Sequence, residues 1–249
     1  MIQVAAAASP IHRLPAHVKI VATLVFVIGV VATPYTAFAA FALDAVAVTA
    51  VAAVAGMAPW TLARRLVVEL PFVAFALLLP FVARGPHVDV LGLTLSENGL
   101  WSAWNILAKG TLGVAASVVL AATTPVADLL SGADRLRIPR AFTAIAGFMV
   151  RYGELMVGEL DRLRIARISR GDDPRWIWQA WAVATTAGAL FVRSFERGER
   201  VHLAMVSRGY TGTWPRTAAP PAADPTTWLV ALTVAAIAAT GALAAWTLT

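Results

Sequence analysis

Residues 228–246 read WLVALTVAAIAATGALAAW, nineteen positions without a charge between two tryptophans. A helix needs about 20 apolar residues to span the ~30 Å hydrocarbon core of a bilayer, and tryptophan is enriched where that core meets the headgroups. The rest of the chain repeats the pattern. Val18 to Ala32 is apolar and ends at Pro34; Ala37 to Ala55 is rich in small residues and is closed by Gly56 and Pro59. Leu66 to Ala83 follows the pair Arg64-Arg65 and carries Pro71 and Pro80, which a membrane helix tolerates where neighbours satisfy the freed carbonyls. Trp101 and Trp104 open a fourth span that ends near Ala122, with Lys109 in its first third and free to snorkel to the interface. Between the third and fourth spans, Arg84 to Gly99 reads as a polar loop.

Composition agrees. Of 249 residues, 59% are hydrophobic and only 14% charged, and the mean hydropathy is +0.73. A soluble domain draws about a quarter of its residues from the charged set, and one of this size has too little interior to bury so much apolar surface. There is no cysteine, so no disulfide framework exists. The net charge of +6 is not a nucleic-acid signature. Fourteen of the 20 Lys and Arg residues fall between Val126 and Arg216, together with nine of the 14 acids, and no aromatic residues interleave with a basic stripe. The positive-inside rule sorts the loops: Arg13 with Lys19, Arg64 with Arg65, and the region after Ala122 share one side when spans alternate. The fold class expected is all-α, a polytopic membrane protein of about five transmembrane helices with long cytoplasmic amphipathic helices. Its divisions are an N-terminal cytoplasmic segment (1–17), four spans (18–122), a cytoplasmic region (123–216) and a linker with the last span (217–249). The apolar run before Ala37-Phe38-Ala39 resembles a secretory leader, but the apolar segments that follow favour a retained span.

Between Pro125 and Arg216 the period changes. Phe142, Ile145, Met149, Tyr152, Met156, Leu160 and Leu163 recur three or four apart, one stripe of a helix that starts at Pro139 and stops at Gly171. Glu159, Asp161, Arg162 and Arg164 occupy its other faces. A second helix is expected from about Pro174 to Arg208, its first half apolar enough (Trp176 to Val192) to offer a sixth crossing as the alternative. Both helices end alike, in Ser169-Arg170-Gly171 and in Ser207-Arg208-Gly209. A glycine just past a helix is a left-handed cap, and an arginine in the last turn suits the helix dipole, so either motif alone is explained by helix termination. Recurrence on consecutive helices asks for more. A guanidinium fixed at a helix end is a rigid fork of donors for a carboxylate or a ring of carbonyls, and two such forks on a cytoplasmic surface make a plug for a soluble partner.

With His12-Arg13-Leu14-Pro15, Lys19, four apolar spans, Arg151-Tyr152 and the two tripeptides, the chain resembles the transmembrane T component of energy-coupling factor transporters. That is the CbiQ/EcfT-type family, which includes the cobalt-transport permeases, and the likeness runs from about Ser9 to Thr213. The resemblance implies that Arg170 and Arg208, flanked by Ser169, Gly171, Ser207 and Gly209, dock into grooves of two ATP-binding cassette ATPase subunits. It implies a third partner, a small substrate-binding membrane S component cradled by the spans and by the stripe from Phe142 to Leu163. It places the chain in the cell membrane, leaves ATP and Mg to the partner subunits with no cofactor on this chain, and makes the cargo a vitamin or an ion of cobalt or nickel. Family members commonly carry alanine where Ser169 and Ser207 stand, which bears on partner specificity.

The competing classes are a standalone carrier and an intramembrane enzyme. A carrier calls for internal repeats or polar span linings, and neither is visible. An enzyme calls for paired acids or a His cluster at membrane depth. His12, His17, His87 and His202 make no ligand-spaced helical pair, so neither a metal site nor a catalytic residue is expected. No Walker A sequence is present. Of the two acids within spans, Glu69 is expected to pair with Arg65 one turn away, and Asp44 to find a hydrogen bond inside the bundle, to lie near the interface, or to meet the substrate subunit.

Overall fold

The computed structural model describes residues 9–90, 93–172, 180–212 and 224–248. In chain order these form α1 (Pro10–Arg13), α2 (Ala16–Ala32), α3 (Phe38–Val54), α4 (Pro59–Arg65), a 3-10 turn (Leu66–Glu69) and α5 (Leu70–Val82). Strands β1 (His87–Val90) and β2 (Leu93–Ser96) follow, then α6 (Glu97–Thr123), α7 (Val126–Arg135), α8 (Arg140–Ile168), α9 (Ala180–Val206) and α10 (Pro225–Leu248). The chain divides into two compact units, Met1–Leu136 with Pro221–Thr249, and Arg137–Pro220. The expected Ala218–Pro221 linker and the start of the second amphipathic helix lie outside the described residues.

Each expected span is a helix in the first unit. Pro59–Val82 and Glu97–Thr123 are long and apolar enough to cross a membrane, and Pro225–Thr233 with Ala236–Ala244, bent by 47°, makes a third candidate. α2 and α3, at 17 residues each, are apolar but shorter; at 1.5 Å per residue they reach about 25 Å. The outer faces carry Leu24, Ile28, Phe72, Phe75, Leu78 and Phe81, all more than half exposed. Apolar patches of this extent call for lipid rather than water. Inward, Phe26, Val30, Phe41, Val48, Leu62, Leu112 and Val119 pack into one core with Ala115, Ala116 and Ala238.

Five local expectations are corrected. The third span begins at Pro59, not Leu66, because a proline at the first helical position costs no hydrogen bond. Further along, Pro71 has no N–H to offer the carbonyl of Val67; the amide of Leu70 takes that carbonyl instead, and the helix tightens into the 3-10 turn. Arg84 to Gly99 is no simple loop: His87–Val90 pairs antiparallel with Leu93–Ser96. The alternation Val88-Asp89-Val90 and Leu93-Thr94-Leu95 carried that signal. Glu69 accepts from Thr111 Oγ1 at 3.2 Å rather than pairing with Arg65. Asp44, 1% exposed, has no hydrogen-bond partner for either carboxyl oxygen among the described residues, so the expected bond inside the bundle is not made. Helix α7, grouped in sequence with the cytoplasmic region, packs on α2 in the first unit.

The order of the bundle rests on helix ends. The last carbonyls of any helix have no partner within it, and lipid offers none. Lys19, in the first turn of α2 and 7% exposed, donates to Thr123 O (3.0 Å), Thr124 Oγ1 (3.3 Å) and His12 O (3.4 Å). Lys109, midway along α6, donates to Val31 O at 2.8 Å. Each helix therefore lends a lysine to the C-terminal end of the other, which is only feasible if α2 and α6 run antiparallel. Trp246 Nε1 adds a bond to Ala32 O at 2.9 Å, and Trp104 Nε1 one to Tyr35 O at 3.2 Å. At the opposite end the ring of His17 meets that of Trp228 edge-on, centroids 5.7 Å apart. Contacts at both ends make α10 parallel to α2, and Gly29 lets the backbone at Ala238 approach closely between them.

Replacing Lys19 by methionine keeps the apolar stem and leaves buried acceptors without a donor, an expected cost of about 1–3 kcal/mol. Thermal unfolding in detergent should show a lower midpoint for Lys19→Met than for Lys109→Met, whose site is open. The reverse order would contradict the assignment of Lys19 as the buried cap.

Candidate functional site

In the second unit, the two tripeptides fold as one motif built twice. At the end of α8, Gly171 N donates to Ile168 O (2.9 Å) and Asp172 N to Arg167 O (3.2 Å), with Gly171 at φ +81°. At the end of α9, Gly209 N donates to Val206 O (2.9 Å) and Tyr210 N to Met205 O (3.0 Å), with Gly209 at φ +85°. This is the Schellman arrangement, and it places Arg170 and Arg208 at the equivalent last position before the left-handed glycine. The serines match as well: Ser169 Oγ donates to Ala166 O and Ser207 Oγ to Ala204 O, both at 3.0 Å. The hydroxyls are spent on their own helices. Serine here therefore resembles alanine more closely than its polarity suggests.

Arg170 and Arg208 are exposed and have no partner among the described residues. Their neighbours differ, since Arg167 Nε lies 3.9 Å from Asp172 Oδ2 at the first tip, where Met205 and Tyr210 occupy the matching positions at the second.

The tips are not side by side. Glu159 Oε1 accepts from Arg193 Nη1 at 2.6 Å, and Arg167 Nη1, eight residues further along α8, donates to Thr186 Oγ1 at 3.1 Å, seven residues earlier on α9. The helices thus run past each other in opposite senses. Arg170 lies 11 residues beyond Glu159, about 17 Å along the helix, and Arg208 lies 15 residues beyond Arg193, about 22 Å. Arg170 and Arg208 therefore stand toward opposite ends of the helix pair.

Glu159 was assigned by its sequence to a solvated face, and its cross-helix role was missed. Its Oε2 also accepts from Arg162 Nη2 at 2.7 Å, three residues along α8. Hydrogen bonds from Arg162 and then Arg193 hold the carboxyl below the usual glutamate range. The contact is fully made above that range and is lost only as pH falls through the lowered value. The i, i+3 spacing of Glu159 and Arg162 was legible in sequence; the partner 34 residues away was not.

The apolar stripe is a surface in this chain. Phe142, Ile145, Met149 and Leu160 are 67%, 58%, 69% and 42% exposed, whereas Tyr152, Met156 and Leu163 are half-buried. Tyr152 stacks on Phe148, ring centroids 6.0 Å apart. On α9, Phe191, Phe195 and Leu203 are likewise exposed.

An apolar helical bundle and a pair of arginine-ended amphipathic helices define the class, a helical membrane protein. The chain belongs to the CbiQ family of cobalt transport proteins, whose model matches residues 7–220. The cobalt transport protein CbiQ of Rhodobacter capsulatus is 29% identical over 187 residues, 71% of this chain and 75% of that one. A putative fused cobalt transport protein CbiMQ of Methanocorpusculum labreanum is 31% identical over 107 residues; the match spans 43% of this chain and 18% of that longer protein. The energy-coupling factor transporter transmembrane protein EcfT of Staphylococcus aureus is 26% identical over 178 residues, 64% of each chain. The chain is thus a membrane component of this transporter family.

A left-handed conformation costs an L-residue about 1–2 kcal/mol. Gly171→Ala and Gly209→Ala should each fray one tip, read as faster amide hydrogen exchange at 165–172 or at 203–210 respectively. Exchange that stays unchanged in both variants would contradict the double Schellman assignment.

Proposed function

We propose that this chain is the transmembrane coupling subunit of an ATP-driven importer of the energy-coupling factor type. Each of two ATP-binding cassette ATPase subunits receives one guanidinium, Arg170 or Arg208, in a groove at its surface. ATP and Mg act in those subunits, and their approach and separation move the ends of α8 and α9. The apolar stripe from Phe142 to Leu163, exposed at Phe142, Ile145, Met149 and Leu160, meets a substrate-binding membrane subunit, whose state changes as the stripe shifts. A partner can bias two states only through contacts that differ between them, so the arginine docking persists while the stripe contacts change. The observation that carries the reading is the duplicated cap, which presents two arginines without side-chain partners among the described residues by the same backbone turn at opposite ends of one helix pair.

The chain sits in the cell membrane with five crossings, its N-terminus and α8–α9 in the cytoplasm and its C-terminus outside. The antiparallel α2–α6 pair and the parallel α2–α10 pair support this count, because a single extra crossing between α6 and α10 would reverse α10. The cargo is a micronutrient: the names of two relatives favour cobalt, with nickel or a vitamin as the wider class. Recognition of that cargo belongs to the substrate-binding subunit.

Arg170→Ala and Arg208→Ala are each expected to weaken co-purification with the ATPases, and the double variant to abolish uptake. The isolated chain is expected to hydrolyse no ATP. Wild-type recovery of ATPase subunits by the double variant, or turnover by the pure chain, would overturn the proposal.

A further inference from the structure

We propose that Glu159 is a positioning residue of the helix pair, its carboxylate being the pin that fixes where α8 and α9 cross and therefore where Arg170 and Arg208 stand. Both of its oxygens are used, Oε2 by Arg162 of its own helix at 2.7 Å and Oε1 by Arg193 of the other at 2.6 Å. Such short charge-assisted bonds are the strong kind, and each guanidinium constrains direction as well as distance. The carboxylate side chain is 13% exposed, while Arg162 and Arg193 are 65% and 56% exposed. The acid is thus enclosed by its two partners, which reach over it from solvent.

Among the described residues, apolar packing between the two helices is sparse. Large apolar side chains of both helices point outward: Val157 and Ile165 on α8 and Phe191 and Phe195 on α9 are each 60% exposed or more. A second polar contact, Arg167 to Thr186, is a bond to a neutral hydroxyl at 3.1 Å. Where apolar packing is this sparse, the angle between two helices follows their strongest directional contact. Because the arginines are open to water, salt and competing partners weaken the pin. It sets a resting geometry without locking it, as a pair that must move under load requires. Rotation of the pair as one body about Glu159 carries the two tips in opposite directions.

The role in transport rests on the coupling function proposed above, but the geometry can be tested without it. The chain has no cysteine, so Arg164→Cys and Glu199→Cys give two specific attachment points for spin labels on the full-length protein in lipid nanodiscs. A narrow distance distribution is expected for the otherwise native chain. Glu159→Gln and Arg193→Gln should each broaden or shift it, and the exchange Glu159→Arg with Arg193→Glu should narrow it again. In the assembled transporter, Glu159→Gln should leave co-purification of the ATPases intact and lower uptake per ATP hydrolysed several-fold, with recovery in the exchanged pair. A distribution unmoved by Glu159→Gln overturns the pin, and unchanged uptake per ATP overturns its role in transport. If the wild-type chain retains no ATPase subunits, the coupling function fails, while the label distances still decide whether Glu159 sets the crossing.

Discussion

A helix always ends with carbonyls that its own turns cannot satisfy, and this chain closes them by two different means. In the first unit side chains close two of the helices, Lys19 closing α6 and Lys109 with Trp246 closing α2, while α3 turns back on its own amides through the exposed Gly56. At the tips of α8 and α9 the partners are backbone amides that turn back through Gly171 and Gly209. The difference follows from the surroundings. Where water is excluded, a carbonyl left alone costs a full desolvation penalty, so a long cationic stem is worth burying to reach it. Where water is present, a glycine turn suffices, and it leaves the last side chain aimed outward.

The two solutions have opposite consequences for function. Reciprocal lysines fix the direction of α2 against α6 and make the first unit a frame. The Schellman caps, by contrast, spend nothing charged on termination. They keep Arg170 and Arg208 available, and with the serine hydroxyls bonded to their own helices the guanidinium is the polar side chain that both tips offer in common. Asp44 fits neither scheme. It is a buried acid without a partner among the described residues, and the frame carries its cost.

Much of this was legible in the sequence. The spans follow from apolar length alone, and the tripeptides follow from glycine after arginine at the end of a 3.6-residue period, because both signals are local. What failed were readings that depended on residues far apart. The direction in which the two tips face is set by Glu159 with Arg193 and by Arg167 with Thr186, pairs separated by 34 and 19 positions. Lys109 reads as a snorkelling side chain until Val31, 78 positions earlier, supplies the carbonyl it meets. The β1–β2 hairpin was missed for another reason. Eight alternating residues between two apolar helices are a weak signal beside the polar residues that surround them.

The unequal distances from the Glu159–Arg193 contact to the two helix ends carry a mechanical corollary. With arms of about 17 Å and about 22 Å, one and the same rotation sweeps Arg208 through an arc roughly a third longer than that of Arg170. Under the coupling role proposed above, two ATPase subunits seated at these ends would not share the torque evenly. The one on the shorter arm would work against the greater force over the smaller stroke.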